Sequence, residues 1–591
     1  MDRPAQPQVF KEFPATPLGV QSGIERFPRK TLATNPFPRL ECWRCNLTAL
    51  SHIHNLYFVA SRYKVLVYEP NFPDQKLSAQ PSLVLSPTPT DAAPDVNEHA
   101  PLGAGRTINS LLVDFLGNDE ILLLALHDGR VIGYHVNQVQ RAIDRRQEPD
   151  CVETINGDDV RPFFSEDVGS SAWGLAVHQE ARMIAVSCNS HTVTVFALAL
   201  TKDALPKTRS WLPDRSQQYR IVTPDSGENI PCVALCNTGD DPEGRWILTS
   251  DINGFSRIMD LARCYRNEYP GVDMHSHRFC AMTEASGQKQ CACEYLEHGI
   301  RYYLHATWGV MWLDRRAFKR TESMSEALAS EGVPLKVERI SSTLNCYDNS
   351  NNRQRVRNSS TIYGSPIGRL EEDSDESSDD EVSVAEPLTE VELARGVELR
   401  RLPRNPGGVT CAQIKIPASP IMRLSVKDIF LIQPRSARSP ERPPVGFFDP
   451  LFQHIRQNPS MEQVCMHDRI NLYAQIVELG IVVVGSAKGR VAIMSLTQTD
   501  EEGSKSRKPL YGCRIDWILP FQDQEEEGNR PLAPLVGIAA GPVQGMLGRQ
   551  ADYSRRWRLL MMYADNSVLS YELGKAREGR VTVHEFGGLV V

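Results

Sequence analysis

Short apolar stretches separated by tight polar turns recur along this chain. Each copy has an apolar run, a turn, and a second run in which apolar and polar residues tend to alternate. The copies occupy residues 56–69, 121–136, 183–196, 246–261, 302–314, 481–496 and 559–573, and a weaker one lies at 421–432. Two such runs joined by a short turn predict a β-hairpin. The chain therefore carries eight predicted hairpins.

The residues between the paired runs support this prediction. Asp128-Gly129, Asn253-Gly254, Lys488-Gly489 and Asn566-Ser567 each stand at a predicted turn. Glycine and asparagine adopt the positive φ angles of tight hairpin turns at low cost. Hairpins repeated at a long period are typical of propellers and solenoids.

The spacing of the turns favours a propeller. From Arg62 to Trp308 the successive turns lie 66, 61, 64 and 55 residues apart. A four-stranded blade takes about 40–45 residues, so long loops are expected between the blades. Helical periodicity is nearly absent, which disfavours an α-solenoid, and two unrelated β-sandwiches would not share one repeat. We predict an all-β, seven-bladed WD-repeat-like β-propeller with long disordered inserts; eight blades is the alternative.

Composition suggests where the propeller is interrupted. We predict a disordered N-terminal tail over 1–38, propeller blades over 39–318, a disordered acidic insert over 319–417, and further blades over 418–591. The Pro/Ser-rich stretches 71–106 and 435–465 are predicted to be loops, because they are poor in apolar residues.

One acidic run dominates the charge of the chain. Glu371 to Glu381 contains eight acids and no base, which equals the formal net charge of −8, so the remainder is balanced. A balanced remainder gives no general attraction for nucleic acid, and we expect no direct binding. The serines of this run, Ser374, Ser377 and Ser378, are phosphorylation candidates, since acids follow three residues after the last two. The alternative is a solvated loop extended by self-repulsion.

The sequence also suggests a compartment. Arg353, Arg355 and Arg357 form a short basic cluster, a candidate nuclear-import signal or an ordinary surface loop. The first residues lack the apolar core of a signal peptide, and no run approaches the roughly 20 apolar residues of a membrane span. We expect a protein of the nucleus and cytoplasm without membrane contact.

Motifs for catalysis or cofactor binding are missing from the sequence. It contains no nucleophile elbow, phosphate loop or His-Glu-x-x-His motif, so we expect no enzyme and no cofactor. Cys42-x-x-Cys45 has no second pair of the same spacing, and no metal site is expected. Four tryptophans in or beside predicted strands are expected to be core anchors: Trp173, Trp246, Trp308 and Trp557.

One region resembles a known family. The motif residues are Asn229, Ile230 and Pro231, followed by Ser250, Asp251, Ile252 and Gly254. They resemble a fungal family of Trp-Asp-repeat-like proteins named for constitutive transcription of ribonucleotide reductase genes. Met259 stands where that family would place tryptophan. The acidic insert also suits the family, and the resemblance spans roughly residues 40–575.

The resemblance implies a non-enzymatic interaction scaffold. Its expected role is a negative regulator of ribonucleotide reductase transcription, linked to the DNA damage response, that works as a monomeric propeller within a protein complex. Some members are associated with cullin ubiquitin ligases, whose propeller receptors carry Trp-Asp-x-Arg. Trp312-Leu313-Asp314-Arg315 and Asp260-Leu261-Ala262-Arg263 approximate that motif. The alternative is a generic WD-repeat adaptor in trafficking, nuclear pore or RNA-processing complexes.

Overall fold

The computed structural model describes most of the predicted hairpins and little of the insert. The described residues are 15–27, 38–87, 106–147, 155–201, 211–268 except 253, 271–275, 278–280, 306–328, 344–345, 416–434 except 427, 445–447, 450–451, 469–500, 509–548 except 522, 523, 526 and 529, and 556–574. The described chain opens with a strand, β1 (Ala15–Gln21), and a single helical turn, α1 (Gly23–Arg26).

The strands form seven sheets, which we call blades 1–7. Blade 1 contains β2 (Thr48–Leu50), β3 (Tyr57–Ser61), β4 (Lys64–Tyr68) and β5 (Leu83–Leu85). Blade 2 contains β6 (Ile108–Leu116), β7 (Asp119–Leu126), β8 (Arg130–His135) and β9 (Phe164–Asp167). Blade 3 contains β10 (Ala172–His178), β11 (Met183–Cys188), β12 (Val193–Ala197) and β13 (Tyr219–Val222). Blade 4 contains β14 (Cys232–Leu235), β15 (Trp246–Ser250), β16 (Ser256–Asp260), β17 (Gly271–His275) and β18 (Arg278–Cys280).

Blades 5–7 are built from strands that flank the predicted insert in the sequence, together with β1. Blade 5 contains β19 (Thr307–Trp312), β22 (Ile421–Ser425), β23 (Ile429–Ile432), β24 (Val445–Phe447) and β21 (Leu344–Asn345). Blade 6 contains β25 (Ile470–Ile476), β26 (Ile481–Ser486), β27 (Val491–Asp500), β28 (Pro509–Leu519) and β20 (Lys319–Arg320). Blade 7 contains β29 (Leu535–Pro542), β30 (Trp557–Tyr563), β31 (Val568–Leu573) and β1.

The blades close into a ring. The first strands touch one another in the order β2, β6, β10, β14, β19, β25, β29, and β29 touches β2 again. The first strands therefore surround the central axis, and the structure is a seven-bladed β-propeller. This confirms the predicted fold with seven rather than eight blades.

Blade 5 explains the surplus hairpin. The segment at 302–314 was predicted to form a hairpin of its own, but Thr307–Trp312 is a single strand that pairs with β22. The hairpin of that blade is β22 and β23, the weaker predicted copy. The predicted insert therefore separates two neighbouring strands of one blade, and two predicted hairpins merge into one sheet.

The first described strand corrects the predicted N-terminal tail. β1 pairs antiparallel with β31, from Ala15 with Leu573 to Gln21 with Val568. The expectation of disorder is therefore wrong for residues 15–27. Their apolar content is low because β1 is an outer strand that buries little, and its stability comes from backbone hydrogen bonds to blade 7.

Two further predicted loops and the insert contain ordered elements. β5 lies within 71–106 and β24 within 435–465, where each completes a blade with only three residues. The start of the predicted insert holds β20, β21 and α4 (Met324–Leu328), and Thr497 donates a 2.7 Å hydrogen bond to the carbonyl of Ala327. Apart from these elements and the short link 321–323, the residues of 319–415 lie outside the described residues.

The hairpin turns carry the expected backbone. Gly129, Gly254 and Gly489 have φ of 91°, 82° and 94°, and Asn566 has 66°. Between the blades, apolar side chains of neighbouring sheets pack against each other. The second strands are buried on both faces, for example β26 throughout, so they are continuous apolar runs rather than alternating ones.

The helices in the described part of the chain are few and short. Besides α1 and α4, α2 (Val136–Arg146) follows β8 and buries Val139 and Ile143, and α3 (Leu261–Tyr265) follows β16. Single 3-10 turns occur at Arg315–Ala317 and Val543–Gly548. Among the described residues, no helix combines the length and apolarity that crossing a membrane requires.

Candidate interaction site at the channel mouth

Five of the seven first strands share a local irregularity. The pairing of each with its second strand shifts register near its start. The residues without a regular partner are Asn109, Trp173 with Gly174, Trp308, Asn471 and Val536. A β-bulge redirects the side chain of the extra residue. Because all five first strands begin at the same end of the ring, the bulges lie around the axis at one face, which we call the proximal face.

The segment before β2 lies across this end of the channel. Asn46 binds blade 7 through 2.9 and 3.1 Å hydrogen bonds with the backbone of Ile538, and its carbonyl accepts a 2.9 Å bond from the amide of Leu111 in blade 2. The amide of Cys45 donates to the carbonyl of Asn109 at 3.0 Å. These bonds hold Trp43 and Arg44 over the axis.

Tryptophan and arginine side chains meet there. The rings of Trp43 and Trp173 lie 6.3 Å apart between centroids, and the guanidinium of Arg44 stacks on Trp43 at 3.4 Å. Arg469 stacks on Trp308 at 3.9 Å from the ring centroid. All three tryptophans are half-buried. We call Trp43, Arg44, Asn109, Trp173, Trp308, Arg469 and Asn471 the channel mouth.

Hydrogen bonds fix the two arginines in different ways. Arg44 donates Nε to Glu41 at 2.7 Å and Nη1 to the side-chain oxygen of Asn109. Arg469 donates Nη2 to the carbonyls of Trp43 and Arg44, the latter at 3.3 Å, and Asn471 also donates to the Arg44 carbonyl at 3.3 Å. Burial lowers the pKa of both arginines, and of the two only Arg44 has a carboxylate partner among the described residues.

Beneath the mouth lie buried thiols. Burial raises the pKa of Cys45, and it raises that of Cys232 well above the usual value, so both remain protonated and unreactive at neutral pH. Cys42 and Cys45 are free, and the described residues contain no cluster of three or more side chains suited to hold a metal.

The family-motif residues lie in blade 4, at the entrance to β14 and around the turn between β15 and β16, and that turn forms a junction with blade 5. Asn229 and Ile252 are joined by a 3.0 Å backbone hydrogen bond, and Ser250 donates to the hydroxyl of Ser256 or accepts from it at 2.7 Å. Ile230 is buried in the apolar cluster of blades 3 and 4 and precedes Pro231 at the entrance to β14.

The turn between β15 and β16 is bonded internally. The carboxylate of Asp251 accepts a 3.0 Å hydrogen bond from the amide of Phe255, and its carbonyl accepts another from the amide of Gly254 at 3.0 Å. Asp251 is 3 % exposed. The motif therefore builds a buried turn next to blade 5 and does not form an exposed patch.

Arg423 of blade 5 completes that junction. It donates Nε to the hydroxyl of Thr307 at 2.8 Å and Nη2 to the carbonyl of Gly254 at 2.7 Å. Burial lowers the pKa of Arg423 to about 10, and the charge of Asp251 opposes that shift.

Other predicted residues fall in different places. Ser374, Ser377, Ser378, Arg353, Arg355 and Arg357 lie outside the described residues. Trp246 and Trp557 are buried core residues as expected, but Trp173 and Trp308 belong to the channel mouth instead, because bulges turn them out of the blade core. Trp43 and Arg469 were not singled out in the sequence, since nothing local marks residues that meet only when the ring closes.

These features define the class of the protein: a seven-bladed WD-repeat-like propeller that presents an aromatic and arginine-lined channel mouth. The family resemblance is confirmed over residues 45–267, which match the model of the CRT10 family, named for constitutive ribonucleotide reductase transcription. That range contains all seven family-motif residues, blades 1–3 and the first three strands of blade 4. No curated protein matches the chain.

Three solved structures align with this chain at very low identity. Raptor from Chaetomium thermophilum is 8 % identical with a TM-score of 0.40; 96 % of this chain is covered, and it spans only 29 % of the Raptor chain. A chain of the mitotic checkpoint complex is 9 % identical with a TM-score of 0.38, covering 98 % and 97 % of the two chains. The WD40 domain of Toxoplasma gondii coronin is 9 % identical with a TM-score of 0.42, covering 97 % and 89 %.

Proposed function

We propose that this chain is a non-enzymatic scaffold in the transcriptional regulation of ribonucleotide reductase genes. The observation that carries the proposal is the CRT10 family match over residues 45–267. A ring of blades offers rigid surfaces for several partners, and the channel mouth has the tryptophan and arginine content typical of interaction hot spots.

The proposed direction of regulation is negative. Deleting the gene should raise ribonucleotide reductase transcripts without DNA damage, because removal of a repressor releases basal expression. Transcript levels should return to normal when the wild-type chain is restored. Unchanged transcripts in the deletion strain would contradict the proposal.

A generic adaptor in trafficking, nuclear pore or RNA-processing complexes is the competing function. Affinity purification of the full chain followed by mass spectrometry separates the two. Transcription or chromatin proteins among the partners would favour the regulator, whereas coat or pore subunits would favour the adaptor.

A more specific proposal is that the chain docks on a cullin ligase. Its support comes from the face of the ring opposite the channel mouth, which we call the distal face. At that face, Asp314 is 5 % exposed and holds Arg316, 77 % exposed, at 2.5 Å. Asp260 holds Arg245 in the same way at 2.5 Å. Buried carboxylates that fix exposed arginines resemble the Asp-x-Arg element of ligase receptors. Changing Arg316 to Glu should then abolish co-purification of a cullin adaptor, and its retention would refute this docking.

We also propose that the predicted insert regulates partner binding through its serines and nuclear import through its arginines. Changing Ser374, Ser377 and Ser378 together to Ala should alter partner binding without changing the melting temperature, because the segment acts by charge. Changing the cluster Arg353, Arg355 and Arg357 to Ala should shift a fluorescent fusion from nucleus to cytoplasm. An unaltered distribution would exclude this cluster as an import signal.

A further inference from the structure

The channel mouth contains one buried cation that the described residues leave without a carboxylate. Arg469 is 7 % exposed, and its hydrogen bonds go from Nη2 to the carbonyls of Trp43 and Arg44. No ion pair joins it to any described acid. A guanidinium has five N–H donors, and the described residues accept only from Nη2 of Arg469.

The neighbouring arginine shows the contrast. Arg44 is equally buried, but Glu41 pairs with it at 2.7 Å and Asn109 accepts from its other nitrogen. An isolated buried charge is costly, and a paired one is much less so. Counted over the described residues, the channel mouth therefore has one more positive than negative charge, at the place where the half-buried tryptophans lie.

We propose that the channel mouth binds an acidic segment of a partner protein, with one carboxylate pairing with Arg469 and the adjoining side chains packing on Trp43 and Trp308. This deepens the proposed scaffold function and rests on it for the existence of a partner. The guanidinium already lies over the Trp308 ring, 3.9 Å from its centroid, so little side-chain entropy is lost when a carboxylate binds.

The charge of the site favours a protein segment over nucleic acid. A phosphate backbone is held by several lysines or arginines at once. The mouth offers two arginines, and Glu41 already neutralises one of them. Outside the acidic run 371–381 the formal charges of the chain sum to zero, so no general excess of positive charge favours a long phosphate backbone.

The test uses the full chain and the fluorescence of its tryptophans. Octaglutamate, octaglutamine and a deca-thymidylate strand are titrated at low salt. Octaglutamate should quench the fluorescence saturably and octaglutamine should not. Changing Arg469 to Gln should weaken octaglutamate binding about tenfold, the loss expected for one charge-assisted hydrogen-bonded pair. Changing Arg145, 60 % exposed in α2, to Gln is the matched control and should leave binding unaltered.

A second variant keeps the proposal testable if Arg469→Gln fails to fold. Changing Trp308 to Leu removes the ring under the guanidinium and should weaken octaglutamate binding about threefold or more. Equal binding of both peptides, wild-type affinity in either variant, or tighter binding of deca-thymidylate would overturn the proposal. A chain that lowers ribonucleotide reductase transcripts but ignores octaglutamate refutes the mouth site alone. A chain that binds octaglutamate without affecting transcripts refutes only the transcriptional function.

Discussion

Arg423 in blade 5 donates a 2.7 Å hydrogen bond to the carbonyl oxygen of Gly254 in blade 4, so the two sheets share one buried guanidinium. Gly254 closes the turn that contains the family-motif residue Asp251. The motif thus has a structural explanation: it shapes a turn whose carbonyl and carboxylate face an arginine of the next blade.

Replacing Arg423 with Lys should destabilise the propeller by about 1–3 kcal/mol, because an ammonium cannot reach both Thr307 and Gly254 and leaves a buried acceptor unsatisfied. Urea unfolding followed by circular dichroism measures the change. Arg145→Lys, in a surface pair with Asp159, should shift the free energy of unfolding by less than about 0.5 kcal/mol. Equal midpoints for the two variants would show that the Arg423 bonds do not stabilise the junction.

Two glycines with the same backbone test the hairpin turns. Gly129 and Gly169 have φ of 91° and 86°, but an added Cβ meets the Ser170 carbonyl at 2.9 Å only at Gly129. Gly169→Ala should cost about 1 kcal/mol from backbone strain. Gly129→Ala should cost about 2–3 kcal/mol, since contact with the backbone adds to the strain. Thermal melts of both variants check this, and an order reversed from the expected one would contradict it.

A substitution at Gly23 tests whether α1 holds β1 against blade 7. A Cβ at this position would lie 1.8 Å from the carbonyl oxygen of Asp565. Gly23→Ala should therefore push α1 off blade 7, destabilise the protein by about 1–3 kcal/mol and speed proteolysis near residue 27. The neighbouring Ile24 is 80 % exposed, so Ile24→Ala is the control. Equal rates of cleavage in the two variants would show that α1 does not secure β1.

A buried carboxyl predicts a pH dependence. Burial raises the pKa of Asp241 from 3.8 to about 6, although the amide of Trp246 donates to it at 2.7 Å. The folded state thus holds the proton more tightly than the unfolded state. The stability from this group is full below about pH 4 and is lost as the pH rises through about 6.

Urea midpoints of the wild type and of Asp241→Asn at several pH values measure this effect. The urea midpoint of Asp241→Asn should rise relative to that of the wild type between about pH 4 and 6. The difference between the two midpoints should stay constant above about pH 7. Asp214→Asn is the control, since hydrogen bonds from Ser216 lower the pKa of Asp214 and reverse the sign. A constant difference for Asp241→Asn would mean that its carboxyl is not buried in solution.

Local patterns were enough to predict the blades. The turns at Gly129, Gly254 and Gly489 were found from sequence because a hairpin depends on a few adjacent residues. The pairing of Thr307 with Ser425 could not be found, since the residues between them hide that the two strands are neighbours. The outer strand β1 was missed for a related reason: its partner, β31, lies at the far end of the described chain.

The channel mouth was harder to predict than the fold. Trp173 and Trp308 have the sequence context of core residues, and only the bulges turn them toward the axis. Arg469 stands at the entrance to β25 in a polar context like many others. Its stacking on Trp308 of one blade and its bonds to the segment before β2 depend on the order of all seven blades.

The pairing of β1 with β31 also has a consequence during protein synthesis. At roughly 5–20 residues per second, β31 leaves the ribosome on the order of a minute after β1. Throughout that interval β1 has no partner strand. The exposed strand edges of the incomplete ring can then pair with other nascent chains. We expect ribosome-associated chaperones to bind this chain until residue 573 emerges. The propeller can close only when the last blade is complete, so the need for chaperones should end there and not at the first blade.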